Sequence, residues 1–299
     1  MATVALVTTT EDILNGEDVD SDQTVAVLAE LGVHASRPVW HDPAVDWASF
    51  DLLVLRSPWD YPERLDEFRS WLRAVVSTSV VCNPPDLIEW NLDKRYVRAL
   101  AAAGVPAVPT QFCERVDEVR AALDAHDGEV VVKPTTSCGA RDTGRFASND
   151  PAAAALAERI VAGGRCVMVQ PFVASVAEQG ETALVYFDGE FSHAFSKGPF
   201  LEQGGELIGG AYTEVVAPVM ATPAQVAVAD QALAVARQHA GGELPLHGRF
   251  DLIAGDAGEP MVLEAELFEP SLYLDMGSGA VNRYAQAIAL RARRAASQL

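Results

Sequence analysis

His247-Gly248-Arg249-Phe250-Asp251-Leu252-Ile253, a turn at Gly255-Asp256-Ala257-Gly258, and Met261-Val262-Leu263-Glu264-Ala265-Glu266-Leu267 form the stretch that sets the fold class of this chain. Side chains alternate faces along a strand with a period of two. Arg249 and Asp251 therefore share one face of the first predicted strand, and Phe250 and Leu252 the other. Glu264 and Glu266 share one face of the second, with Leu263, Ala265 and Leu267 behind them. Three carboxylates and a guanidinium facing together, each backed by apolar residues, make a site for a hard cation. Mg²⁺ is usually held by one or two carboxylates plus the phosphates of a nucleotide. An amphipathic hairpin with a solvated acidic face has the same pattern, so on this stretch alone both readings stay open.

Outward from that hairpin, 299 residues allow two domains, or one large one with a lid. With 49% hydrophobic and 21% charged residues the composition is that of a soluble globular protein. The N-terminal Val4-Ala5-Leu6-Val7 is too short for a signal peptide or membrane span, and a cytoplasmic location without a membrane partner is expected. Cys82, Cys113, Cys138 and Cys166 form no Cys-x-x-Cys pair, and the six histidines show no ligand spacing. Cys138 lies in a glycine-containing loop with no histidine nearby in sequence, and is expected to be a small loop or core residue rather than a nucleophile. A net charge of -20 argues against nucleic acid as a partner. Of 22 basic residues only three are lysines, Lys94, Lys133 and Lys197, each in an unusual context. Lysine is the compact point charge suited to phosphate.

The first third is patterned as βα units, with a buried strand at 4–7, a helix over 22–31 and strands at 33–39 and 51–55. Arg56-Ser57-Pro58-Trp59-Asp60-Tyr61-Pro62 follows, ahead of a helix over 63–76. Open α/β sheets place ligands at loops just beyond the carboxyl ends of parallel strands. Arg56 is thus the candidate to grip a substrate carboxylate, with Trp59 and Tyr61 as walls; the alternative is a Pro-bounded turn with Trp59 in the core. After a strand at 80–82, Asn83-Pro84-Pro85 breaks the chain, and a helix capped by Asn91 or Asp93 runs to Gly104. A helix over 116–125 and a strand over 129–134 lead into a loop, 135–145, whose small and hydroxyl residues expose backbone N–H groups to an anion. It fits neither the Walker A pattern nor Gly-x-Gly-x-x-Gly, which leaves P-loop and Rossmann oxidoreductase readings without support. Beyond it come a helix over 151–162, a strand over 166–170 and a linker at 174–180. A hairpin over 181–187 and 190–197 turns at Asp188-Gly189, and a mobile glycine-rich stretch spans 198–210. Helices over 222–240 and 281–296 complete the chain.

In this order the parts resemble the ATP-grasp superfamily of carboxylate–amine ligases. The resemblance rests on Lys94 ahead of a lid, Lys133 on a lid strand, the small-residue loop, the hinge Gln170-Pro171-Phe172-Val173, and the pairs Arg249-x-Asp251 and Glu264-x-Glu266. It implies an α/β fold with an α+β lid: an N-terminal domain over 1–93, a linker helix and lid over 94–173, and a C-terminal metal-binding domain over 174–299. It implies ATP and Mg²⁺ as cofactors. Lys94 and Lys133 would contact phosphates and adenine, with Ser137 and Gly139 in the loop that covers them. The backbone of Phe172 and Val173 would meet the adenine edge beside Gln170. Glu181 would bind the ribose and Lys197 the γ-phosphate. Asp251, Glu264 and Glu266 would hold Mg²⁺, and Arg249 would stabilise charge during acyl transfer. Two positions depart from the pattern: Glu266 stands where asparagine is usual, and Ala183 where glutathione synthetase has an arginine.

Leu55-Arg56-Ser57-Pro58-Trp59-Asp60-Tyr61, Trp90-Asn91-Leu92-Asp93-Lys94-Arg95-Tyr96, Gly189-Glu190-Phe191-Ser192-His193 and Glu269-Pro270-Ser271-Leu272-Tyr273 look like the actinomycete ATP-grasp group that contains the O-ureido-D-serine cyclo-ligase. That likeness implies phosphorylation of an amino-acid carboxylate and C–N bond formation through an acyl phosphate, with ring closure to D-cycloserine and loss of CO₂ and NH₃. Arg56, Trp59, Tyr61, His193, Ser271 and Tyr273 are the substrate-side candidates, His193 being equally a structural strand residue. A small amino acid is the expected partner, and a homodimer is expected from the superfamily. An intermolecular amino-acid or peptide ligase and a non-catalytic ATP sensor are the competing functions.

Overall fold

The computed structural model describes residues 1–16, 18–199, 201–202, 204–207 and 214–297; part of the expected mobile stretch at 198–210 lies outside them. Three sheets organise the chain. In the first, β1 (Thr3–Thr8), β2 (His34–Ser36), β3 (Leu52–Ser57) and β4 (Val80–Cys82) are parallel in the order β2-β1-β3-β4. The β3 run Leu52-Leu53-Val54-Leu55 is buried on both faces, as strands covered by helices are. Helices α1 (Glu11–Leu14), α2 (Val19–Glu30) and α3 (Leu65–Val76) belong to this sheet. The strand expected over 33–39 is shorter, with a lone bridge from Val39 to Thr8 beyond it.

The break at Asn83-Pro84-Pro85 starts a helix instead of only ending a strand. Pro85 stands first in α4 (Pro85–Asn91), where a missing N–H costs nothing. The next helix, α5 (Tyr96–Ala102), therefore begins later than expected. Asn91 does not cap it, and Asp93 accepts the Arg95 amide at 2.9 Å.

The second sheet holds β5 (Gln111–Cys113), β6 (Glu129–Pro134), β7 (Thr143–Ala147) and β8 (Val167–Pro171), all antiparallel. Helices α6 (Val116–Asp124) and α7 (Pro151–Ala162) share an apolar core with its strands. The expected loop at 135–145 thus ends in a strand, β7. The expected linker at 174–180 contains a short helix, α8 (Ser175–Gln179).

The third sheet begins with the hairpin β9 (Glu181–Phe187) and β10 (Glu190–Lys197). Asp188 and Gly189 both take positive φ, 48° and 82°, the geometry of a two-residue turn that matches strand twist. After β11 (Glu206–Leu207), which crosses back to pair with β7 of the second sheet, come β12 (Val216–Val219), β13 (His247–Ala254) and β14 (Pro260–Glu266). The order is β12-β10-β9-β13-β14. Helix α9 (Pro223–His239), opened by a reciprocal Thr222–Gln225 cap, covers one face. Helix α10 (Ala280–Ala296) packs between the other face and the first sheet. Both faces of β13 are therefore buried, and Arg249 and Asp251 are only 4% and 2% exposed. This overturns the solvated-hairpin alternative. Among the described residues no helix is long and apolar enough to cross a membrane.

Candidate active site

A cavity of about 730 Å³ is lined by residues of the second and third sheets and of the helices and loops beyond the first. Its floor is the β13–β14 pair. The register sets Arg249 opposite Glu266 and Asp251 opposite Glu264. A bulge after Asp251 leaves Leu263 without a partner and turns it onto the cavity wall, not behind the carboxylates as strict alternation predicts. The outer edge of β14 is held by side chains. Asn91 Nδ2 donates to Ala265 O at 2.9 Å, Asn91 Oδ1 accepts the Leu267 amide at 2.8 Å, and the Tyr96 hydroxyl accepts the Ala265 amide at 3.0 Å. Such pairing protects an edge strand and fixes the direction of Glu266, between those residues, and of Glu264 beside them.

Charged side chains on this floor neutralise one another in sequence. Arg249 makes a bidentate pair with Asp251 at 2.8 and 2.9 Å, reaches Glu266 at 2.5 Å, and donates to Ser271 O at 2.8 Å. Lys197 Nζ lies 3.1 Å from Glu181, 3.0 Å from Asp251 and 3.2 Å from Glu214, enough acceptors for its three protons. Lys94 meets Glu264 at 3.0 Å and Ser137 O at 2.7 Å, and Lys133 stands 4.0 Å from the other Glu264 oxygen. Burial alone would strip the proton from Lys197, but Asp251 and Glu181 outweigh it and hold its pKa well above the ordinary value. Burial likewise opposes charge on Asp251, yet Arg249 and Lys197 pull its pKa down to about 2. At Glu266 burial prevails, reinforced by Glu269, Asp251 and Glu264, and pushes the carboxyl up to about 8 against the pull of Arg249.

Asp251, Glu264 and Glu266, the carboxylates expected to hold Mg²⁺, are placed differently from one another. Among the described residues no three acidic, cysteine or histidine side chains form a ligand set. Glu264 and Glu266 are on the cavity wall, whereas Asp251 is beneath it with both oxygens taken by Arg249 and Lys197. Two wall carboxylates of hard oxygen donors still fit Mg²⁺, which completes its octahedron with phosphates and water.

Of the expected nucleotide contacts, Lys94, Lys133, Ser137, Gly139, Gln170, Phe172, Val173, Glu181 and Lys197 all line the cavity. One detail changes: the Phe172 amide already donates to Glu129 O at 2.8 Å and is not available to an adenine edge. The covering loop is tied down, Arg141 pairing with Glu63 of the first domain.

The substrate-side candidates separate into two groups. Trp59, Ser271 and Tyr273 line the cavity, Trp59 donating from Nε1 to Glu269 O at 2.9 Å and Tyr273 from its hydroxyl to Glu214 at 2.6 Å. Tyr61 touches the cavity but is 2% exposed and packs on Phe68 and Phe268, so it is chiefly a core residue. Arg56 is not on the wall. It is 1% exposed, donates to Pro270 O at 3.1 Å, and faces Asp20 at 3.7 Å and the Tyr284 ring at 5.5 Å. His193 is also off the wall, its Nε2 bonded to Leu272 O at 2.9 Å. Arg56 instead fixes the backbone at 270, and His193 fixes it at 272 as the structural strand residue that was its alternative.

Wall residues missed from sequence include Asn91, Tyr96, Glu214, Leu263 and Glu269. Asn91, Tyr96 and Glu269 stand in motifs quoted above, and their polar type beside apolar runs was the available signal. Asp20, in a helix, gave none, although its carboxylate accepts the amides of Leu272, Tyr273 and Leu274 at 2.8, 3.0 and 2.9 Å.

The chain is similar to known proteins over most of its length. Residues 4–83 match the family model for the N-terminal domain of D-cycloserine synthetase DcsG. The cycloserine biosynthesis protein DcsG of Streptomyces lavendulae is 39% identical over 290 residues, covering 92% of this chain and 94% of that protein. The crystal structure of D-cycloserine synthetase DcsG superposes with a TM-score of 0.88 at 37% identity, over 97% of this chain and 100% of that one. D-alanyl-alanine synthetase A of Vibrio cholerae O1 biovar eltor shares the fold, with a TM-score of 0.70 at 15% identity over 100% of this chain and 99% of that one. From the whole-length likeness to DcsG and the ligase fold around its cavity, this chain belongs to the D-cycloserine synthetase family of ATP-grasp ligases.

Proposed function

We propose that the chain cyclises O-ureido-D-serine to D-cycloserine with Mg²⁺-ATP. The observation that carries this is the likeness to DcsG across 92% of the chain, around a cavity whose wall bears three lysines and Arg249. Three regions, 1–93, 94–173 and 174–299, are proposed as its domains, each built around one sheet, with β11 of the third region added to the sheet of the second.

The carboxylates on β14, paired internally with Lys94 and Arg249, would be the residues that hold the nucleotide's metal. Glu264 and Glu266 would hold Mg²⁺, which supplies charge neutralisation at the transferring phosphoryl group. Lys94, Lys133 and Lys197, released from Glu264 and Asp251, meet phosphate oxygens, and Gln170 and Leu263 border the base. Glu181 is placed for the ribose. The substrate carboxylate attacks the γ-phosphorus, giving an acyl phosphate and ADP. The nitrogen between carbonyl and oxygen in the ureido group attacks the acyl carbon, and its proton leaves with the departing phosphate. The C–O bond to phosphate breaks, and Arg249 meets the charge that develops on the carbonyl oxygen. One water then removes the carbamoyl group as CO₂ and NH₃. Trp59 and Tyr273 restrict the substrate to folded conformers, an entropic gain for ring closure.

Phosphate release with O-ureido-D-serine as the only amino acid tests this, with products read by mass spectrometry. One phosphate per cycloserine is expected. A requirement for an added amine would replace the cyclo-ligase with an intermolecular ligase, and no release would withdraw the substrate.

A further inference from the structure

The cavity wall carries a carboxylate that this chemistry does not use. Glu269 is 7% exposed and lines the cavity. Its backbone is fixed, since its carbonyl accepts Trp59 Nε1 at 2.9 Å and the next carbonyl accepts Arg56 at 3.1 Å. The Tyr61 hydroxyl is its hydrogen-bonding neighbour, yet Oε2 is buried without a partner. Among the described residues no basic side chain lies within ion-pair distance of it. The cation acting on it most strongly, Lys94, spends its ammonium on Glu264 and Ser137 O.

A buried carboxylate oxygen left unpaired in an open cavity is costly, and a ligand that brings a cation removes the cost. The substrate proposed above has two N–H sources, an α-ammonium and a carbamoyl amide. Only the ammonium cancels the charge. Position agrees with chemistry. Arg249 Nη1 contacts Ser271 O at 2.8 Å, so the guanidinium that faces the reacting carboxylate borders the 269–271 segment. An α-ammonium sits one carbon from that carboxylate.

We propose that Glu269 binds the α-ammonium group of the substrate through Oε2 and so selects an α-amino acid over its des-amino counterpart. The proposal rests on the cyclo-ligase reading. It is tested by phosphate release from Mg²⁺-ATP with O-ureido-D-serine and with 3-(ureidooxy)propanoate, in wild type, Glu269→Gln and Glu269→Asp. Wild type is expected to prefer the amino acid by about 10- to 100-fold in kcat/KM. Glu269→Gln loses that preference through a raised amino-acid KM, with little change on the des-amino compound or in the KM for ATP. Glu269→Asp, which keeps the charge, retains part of it. Equal losses on both compounds, or a loss confined to the KM for ATP, would overturn the assignment and leave the function standing. A wild type silent with O-ureido-D-serine would overturn both.

Discussion

Arg56 and Arg249 invite comparison because they look interchangeable in sequence. Each lies on a strand of a buried sheet, each is almost wholly enclosed, and each donates to a carbonyl of the same segment, Arg56 to Pro270 and Arg249 to Ser271. They approach that segment from opposite sides. Arg56 comes from the first sheet, facing Asp20, the Tyr284 ring and the backbone. Arg249 comes from the third sheet, with its guanidinium on the cavity wall and two carboxylates in reach. A buried arginine pinned by one distant acid and a backbone carbonyl is a clamp. One on the cavity wall among carboxylates is placed for the role in charge stabilisation proposed above. What separates them is access to the cavity, which depends on the packing of two sheets about α10 and not on local sequence.

The largest effect that would break the comparison is at Arg249. Arg249→Met should lower ATP-dependent phosphate release on the order of a thousandfold, as loss of a preorganised charge in a dry site does. Asp251 keeps Lys197 as a partner, so the variant should remain folded. Turnover within tenfold of wild type would show that the guanidinium does not meet reaction charge.

At Arg56 the expected loss is of stability. Arg56→Met leaves Asp20 with its three amide donors but without its buried cation, and the Pro270 carbonyl without its donor. Breaking a buried pair costs about 3–5 kcal/mol, to be read from urea unfolding, with kcat of the folded enzyme changed only a few-fold. A tenfold rise in the amino-acid KM at an unchanged unfolding midpoint would instead return Arg56 to substrate binding.

The two arginines also mark where sequence was legible and where it was not. Periodicity places β6 at 129–134, α7 at 151–162 and the β9–β10 hairpin within their observed bounds, because each is a strong local pattern with its own stop signal. It misses α4, where prolines open a helix, and β7, whose Thr-Gly-Arg-Phe-Ala has little alternation and is stabilised by β6 and β11. Lys94, Lys133, Lys197 and the β14 carboxylates were legible because rare residue types recur at defined places. Leu263 was not, since one bulged residue reverses its face. Nor was Asp20, whose three partners lie about 250 positions away in the chain.

The smallest expected effect sharpens the comparison by pH. His247, fully buried beside the Arg56 clamp, has its Nε2 at 3.1 Å from Phe268 O and its Nδ1 at 3.1 Å from the Tyr284 hydroxyl. That network suits a neutral ring with the proton on Nε2. Burial, with the charge of Arg56 behind it, pushes the His247 pKa down to about 3. Between the ordinary value, about 6.5, and that depressed one, the unfolded chain binds a proton that the native chain refuses. Stability therefore falls as pH drops through this window, by up to about 1.4 kcal/mol per pH unit from this residue. The Arg249 side behaves differently. The Asp251 contribution is complete above its ordinary value of 3.8 and is lost only as pH falls toward about 2. Glu266 on that side, held up at about 8, contributes with the opposite sign as pH falls toward its ordinary value, so the test is a difference: from pH 7 to pH 4 the unfolding midpoint of wild type should fall relative to that of His247→Gln. Parallel curves would mean that His247 takes its proton in the folded state and that the clamp side is no more acid-labile than the cavity floor.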